Sequence, residues 1–424
     1  MIIDIYLYFA TMFMISPIVV LLLLGKKTKL QLYLLSLFYF SILTLIHHYF
    51  SLQLGRFGFS VLTKGFLDDE LIYHYTTIAI LKSTSFNAIL DMQESLVGYS
   101  SFKSIFFAML SSPFYYIIAS KIIVAKAIVV FFSSLAIITL YDVLLNFFNN
   151  KKAFRFSLVL FVYPSFMIHS VQFEKDTFVL FLFLIYVKYI VQEILHNKNA
   201  NILIMFIIIS ILAFYRPQYA LVATLSLLFI KIFLQNKIII DRSLLFFTMS
   251  LILLFPLPVV VSKIYFPEVF FFLDSSKAYS VFAGQVGFLK HDYSNYISTL
   301  ITLIISLYYF LFGPISILIF KAGAFWKLMI IEPIIFSVFP IFLIIKNAYK
   351  KNIKDVEEYQ LIIIFLFIIL MYSYLSVVFE SHFSGYMRKR MMVYVLLYIL
   401  GVSLYSKSKF DNEIPKDKAI YCRT

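Results

Sequence analysis

The stretch MIIDIYLYFATMFMISPIVVLLLLGKKTK, residues 1–29, sets how the rest of the chain is read. Its apolar run covers about residues 3–24, close to the ~20 residues a helix needs to cross ~30 Å of hydrocarbon. It ends in Lys26, Lys27 and Lys29, and lysine-rich short links mark the cytoplasmic side of a membrane protein. No basic leader precedes the run, so it reads as a retained first helix with its N-terminus outside. Similar runs recur down the sequence, divided by similar links. Composition agrees: of 424 residues, 62% are hydrophobic and 14% charged, with mean hydropathy +0.93. Soluble domains are about 45–50% apolar and about a quarter charged. No period-two alternation competes, which argues against a β-barrel. The expected fold is all-α: a polytopic helical membrane protein of about eleven (10–13) spans, one integral domain over residues 1–424.

The net charge of +14 lies mostly in the short links. It is an orientation signal, and no nucleic-acid partner is expected. The one cysteine, Cys422, excludes a disulfide within the chain. Alternation of runs and basic links gives a second helix over about 31–50, running outward, then a first large external loop over 51–121. That loop holds a short membrane-edge helix over about 103–120, with Pro113. The run 122–148 returns inward to Lys151, Lys152 and Arg155. Further spans are expected over about 156–172, 177–195, 201–214, 219–235 and 243–262, the last kinked by Pro256 and Pro258. A second large external or re-entrant region covers 263–327, where Gly313-Pro314 breaks the apolar stretch 298–320. Spans over about 328–345, 360–378 and 391–406 lead to a cytoplasmic tail, 407–424.

Three adjacent acids, Asp68-Asp69-Glu70, sit in the first external loop, flanked by Phe66, Leu67, Leu71, Ile72 and Tyr73. Charge among large apolar groups suggests a membrane-edge cavity, where ionisable residues are functional by default. Arg56, Lys175, Arg216, Arg388, Lys389 and Arg390 fall on the same outer face, against the positive-inside trend. A bound anion would offset that cost, since arginine matches phosphate oxygens in a bidentate fork. An outward-facing membrane enzyme meets such an anion in sugars carried on polyprenyl phosphate or diphosphate. Sugar transfer needs a base for the acceptor hydroxyl and positive charge on the departing phosphate. Asp68, Asp69 and Glu70 are the catalytic candidates. Arg56, Tyr73, His74, Lys175, Asp176, Arg216, Gln218, Arg388 and Arg390 are the candidates for holding sugar and phosphate. Plainer readings stand beside these. The acids suit the first turn of a helix, Lys175-Asp176 suits a local ion pair, and Arg216 suits a snorkelling side chain at a helix end. His47, His48, His169 and His196 are too scattered for a metal signature. Carboxylates admit Mg²⁺ or Mn²⁺, but no spacing demands an ion, and no cofactor is required.

The order of these features resembles the GT-C superfamily of membrane glycosyltransferases. Asp68-Asp69-Glu70 with Tyr73 looks like its acidic first-loop motif. Gly98-Tyr99, Pro164 before Lys175-Asp176, Tyr215-Arg216-Pro217, Gly313-Pro314 followed by Glu332, and Gly385-Tyr386-Met387-Arg388-Lys389-Arg390 follow in the order of a bacterial branch. The similarity runs from about residue 40 to 405. It implies that Asp68 or Asp69 is the catalytic base or a metal ligand. It also implies action on undecaprenyl-linked sugars at the outer face of a bacterial cytoplasmic membrane. The extra helix before the acidic loop, and the lack of a soluble C-terminal domain, resemble the Wzy-type polymerases of O-antigen and capsule. The partners so implied are polyprenyl-linked glycans, the bilayer, and assembly proteins such as a flippase and a chain-length regulator. A single-sugar transferase and a lipid-linked oligosaccharide flippase are the alternative functions. No internal repeat favours the flippase.

Overall fold

The computed structural model of the chain describes residues 1–55, 69–83, 85–97, 102–196, 202–231, 296–312, 331–350, 356–379 and 383–410. Every regular element among them is helical. Among the described residues four helices are long and apolar enough to cross a membrane, or five where a bent pair counts as one span. The chain divides into two compact units, residues 1–193 with 198–221, and residues 194–197 with 222–424.

The first unit is built on α6 (Ile122–Leu144), which packs against α1 (Ile2–Leu23), α2 (Lys27–Leu54) and α5 (Phe102–Ile117). The sequence of α6 is apolar on all sides, and 83% of its central window is buried. A helix apolar all round belongs in the middle of a bundle. Ala125, Ala127, Ser133, Ser134 and Ala136 keep its surface low, and small residues let neighbouring helices approach. The two serine hydroxyls donate to Val129 O and Val130 O at 2.8 and 2.9 Å, so no polar atom there is stranded. In contrast, only 17% of the α1 window is buried, and Phe13, Ile18 and Leu22 point outward. Such a face suits lipid.

Gly25, at φ +85°, turns α1 into α2. A side chain is strained in that left-handed conformation, which glycine adopts freely. Ion pairs pin both ends of the bundle. At one end Asp4 meets Lys121 at 2.9 Å. At the other, Asp142 meets Lys29 at 2.5 Å and Lys188 at 2.9 Å, joining α2, α6 and α9 (Asp176–His196). The relative directions of α1, α2, α6 and α9 are therefore those the lysine pattern implies.

The expected first external loop contains three helices, α3 (Asp69–Lys82), α4 (Phe86–Val97) and α5. Residues 156–172, expected as one span, fall in a broken pair of helices: α7 (Asn150–Ser157), a 3₁₀ turn (Leu158–Phe161) and α8 (Pro164–Val171), bent by 69°. Asn149 caps α7 by accepting from Lys152 N–H. Pro164 forces the break: it starts a helix well, while the residue before a proline is driven extended, as Tyr163 is. Tyr39, midway along α2, donates to Phe161 O at 2.8 Å and holds the break at that depth. Helices α10 (Ile202–Tyr215) and α11 (Pro217–Phe229) follow, with Arg216 between them.

In the second unit the described helices are α12 (Tyr296–Phe312), α13 (Phe339–Lys350), α14 (Val356–Phe379) and α15 (Phe383–Phe410). A π-helical turn, Ile334–Val338, leads into α13 after Pro333. Residues 391–400 of α15 are all buried, again an apolar helix in a bundle centre. The regions 232–295 and 313–330, with Pro256, Pro258, Gly313 and Pro314, and the tail beyond residue 410, lie outside the described residues.

Gly401 of α15 lies against Pro340, whose Cα would be 2.9 Å from an added Cβ. That is too close for any real Cβ, and the obstacle is backbone. Gly401→Ala is expected to cost about 1–3 kcal/mol by overpacking. Thermal unfolding of the detergent-solubilised protein checks this through a lowered midpoint.

Candidate functional site

The site forms where α3 begins against α6. Asp69 and Glu70 open α3, so the plain helix-start reading holds geometrically: acids there favour the helix dipole. Glu70 does more. It is fully buried, and its Oε1 lies 2.9 Å from Nζ of Lys126, itself fully buried in the first turns of α6. The same oxygen accepts from the backbone N–H of Phe173 at 3.1 Å. Lys126 Nζ also lies 3.1 Å from His47 Nδ1 of α2. One carboxylate thus ties α3, α6 and the link between α8 and α9 together, and the lysine adds α2.

That link, Gln172 to Lys175, is buried along its whole length. Its backbone turns tightly, with Glu174 N–H on Gln172 O at 2.8 Å. Glu174 Oε2 lies 2.8 Å from Nδ1 of His169, near the end of α8. Asp176 opens α9 and receives Arg216 Nη2 at 2.5 Å. Arg216 sits in the break before Pro217, its own N–H on Leu212 O. Lys175 is buried, 5% exposed, between the two acids. Aromatic rings wall the site: Tyr73 packs on Phe107 and Phe173, and Phe178 on Tyr215. His74 Nδ1 and Tyr115 Oη are 2.8 Å apart. Burial, helped by the charge of Glu70, raises the Tyr115 phenol well above its ordinary range.

The structure thus brings together Glu70, Tyr73, His74, Lys175, Asp176 and Arg216, all candidates from sequence. Gln218 is half-buried in the first turn of α11. Arg56, Asp68 and the side chain of Asp69 lie outside the described residues. Arg388 and Arg390 belong to the second unit. There Arg390 is fully buried, its Nε 3.1 Å from Oε1 of the equally buried Glu332, with the guanidinium 5.3 Å from the Tyr394 ring centre. Tyr394 in turn donates to Leu311 O at 2.8 Å.

Sequence reasoning passed over Lys126, His47, and the pairing of His169 with Glu174. The signal for Lys126 was present: a lysine within an apolar run must find a partner. His169, Glu174 and Asp176 each place a donor atom within 4.8 Å of the others, the spread of a small metal-binding group. Here Asp176 is engaged by Arg216 and Glu174 by His169, so each acid already has a partner within the protein. No family model, curated protein or solved structure matches the chain.

Removing one partner of a buried ion pair leaves an uncompensated charge. Lys126→Met is therefore expected to destabilise the protein by about 3–5 kcal/mol. The double variant Lys126→Met, Glu70→Gln should regain much of that loss, as read from unfolding midpoints in detergent. A second expectation concerns pH. Burial lowers the His74 imidazole from 6.5 to about 4, so the native ring is neutral. The unfolded chain binds that proton first. Its contribution to stability is full above pH 6.5 and is lost as pH falls towards 4. Across that window His74→Gln should lose less stability than the parent protein, in the same unfolding assay.

Proposed function

We propose that this chain is a membrane-embedded glycosyltransferase acting on sugars carried by undecaprenyl phosphate or diphosphate. In this reading it works at the outer face of a bacterial cytoplasmic membrane, as a Wzy-type polymerase of surface polysaccharide. One observation carries the reading. Carboxylates and cations from three separate stretches, α3, the 172–176 link and Arg216, meet at one end of a bundle whose helices suit a membrane. Buried ionisable groups in such a protein mark substrate paths.

The roles follow from the chemistry. The departing phosphate gathers negative charge as the glycosidic bond breaks, and preorganised cations stabilise it best. Lys175 and Arg216 take that role. Asp68 and Asp69, next to the anchored Glu70, meet the acceptor hydroxyl, as its base or by holding it in place. Glu70 itself is bound to Lys126 and fixes where those two acids start. Tyr73 and His74 line the approach for a sugar ring.

Proteoliposomes holding the purified protein and lipid-linked repeat units test this directly, with glycan length read on gels. Elongation is expected. Arg216→Lys keeps the charge but loses the fork, and should slow elongation by about tenfold or more. The double variant Asp68→Asn, Asp69→Asn should abolish long polymer. Unextended repeat units with the parent protein would sink the reading. A reporter fused at Lys389 tests the assumed orientation: a cytoplasmic signal there contradicts an outer-face Arg388 and Arg390.

A further inference from the structure

The His169–Glu174 pair stands apart from the ion pairs around it. His169 is 1% exposed and Glu174 3%. Nδ1 of the ring lies 2.8 Å from Glu174 Oε2. A carboxylate there accepts a hydrogen bond from Nδ1–H, which fixes the tautomer and leaves Nε2 with a lone pair. Nε2 is buried and has no hydrogen-bond partner among the described residues. An ordinary core histidine uses both nitrogens, because a stranded buried polar atom is costly. A basic nitrogen on a ring oriented by a carboxylate, with no hydrogen-bond partner of its own, is the arrangement of a general base.

The neighbouring acids are otherwise committed. Glu70 Oε1 holds Lys126 and the Phe173 N–H. Asp176 holds Arg216. Glu174 turns its charge onto the ring. The link that carries Glu174 is the one Glu70 fastens, so the ring and the start of the acidic helix are held by a single short piece of backbone.

We propose that His169, oriented by Glu174, is the group that accepts the proton of the acceptor hydroxyl at this site. The proposal rests on the glycosyl-transfer reading and sharpens it, leaving Asp68 and Asp69 to position the acceptor. In the step, the acceptor O–H gives its proton to Nε2 as its oxygen bonds to the anomeric carbon. The bond from that carbon to the phosphate oxygen breaks, and its electron pair leaves with the lipid phosphate. The imidazolium, facing the Glu174 carboxylate, then returns its proton to the released phosphate or to water. His169 is the catalytic residue in this step, and Glu174 is a positioning residue. Of the helices packed on α8, α2 carries His47 and His48 at this end and Lys27 and Lys29 at the other, and α6 carries Lys126 here and Asp142 at the other; Glu70 of α3, Glu174 and Lys175 of the link, Asp176 of α9 and Arg216 complete the charged groups nearby.

The full-length protein in proteoliposomes, with lipid-linked repeat units, gives the test as elongation rate against pH from 5 to 9. His169→Gln should lower the rate by about 10²–10⁴-fold and remove the acidic limb of the profile. Glu174→Gln keeps a hydrogen-bond acceptor and should fold; it should lower the plateau and move the limb to lower pH. Nitrogen NMR of ¹⁵N-histidine protein should show His169 protonated at Nδ1 above pH 8. Parental rates in His169→Gln overturn the proposal. A Glu174→Gln loss with an unmoved limb does so too, as does a proton on Nε2. Elongation that requires added Mn²⁺, with weaker Mn²⁺ binding in His169→Gln, overturns it in favour of a metal site. A parent protein that elongates nothing rejects the glycosyl-transfer reading itself, and the proposal with it.

Discussion

A lysine in an apolar helix sets the terms for the first unit. Lys126 lies one turn into α6, fully buried, where its charge is costly without a partner. The partner, Glu70, comes from the first turn of α3, far earlier in the chain. Glu70 reaches it because α3 packs on α5, which itself packs on α6, with the first turn of α3 aimed inward. Glu70 also accepts from Phe173, so the backbone after α8 must come to the same point. The position of the acidic stretch, the break in the 150–171 segment and the start of α9 are thus consequences of one charge requirement.

The overall class was legible because it depends on composition and run length, which do not need a partner to be named. Apolar runs at 2–23, 27–54, 122–144 and 176–196 became helices close to the expected ranges. The lysines at 26–29 and at 151–152 gave relative directions that the Asp142 ion pairs repeat. The bend in the 150–171 segment was not legible, because hydropathy sums over residues and does not feel Pro164, whose effect is on backbone geometry. The site was half legible for a similar reason. Cations that break the positive-inside trend are visible as outliers, and Lys175 and Arg216 were picked out that way. Lys126 and His169 make sense only through Glu70 and Glu174, and contacts over such distances are not written in local pattern.

The plain and functional readings of several residues turn out to describe the same atoms. Asp69 and Glu70 do start a helix, and Arg216 and Asp176 do form an ion pair. Neither fact argues against a role in binding. One carboxylate oxygen does not exhaust a guanidinium, which carries five N–H donors in a rigid fork. An arginine already steered by Asp176 loses less freedom on meeting a phosphate than one that waves in solvent, and preorganisation of this kind is what electrostatic catalysis relies on.

The second unit repeats the first unit's logic with different residues. Arg390 is as deeply buried as Lys126, and Glu332 answers it as Glu70 does. Around that pair the backbone departs from regular helix, with Pro333 followed by the π turn Ile334–Val338. A π turn is rare and tends to occur at functional positions. Replacing a buried ion pair by apolar residues is often neutral or stabilising, so stability alone is a weak reason to keep one. Two such pairs, each in its own unit and each beside a break in helical geometry, are better explained by what they hold in place than by the energy they contribute.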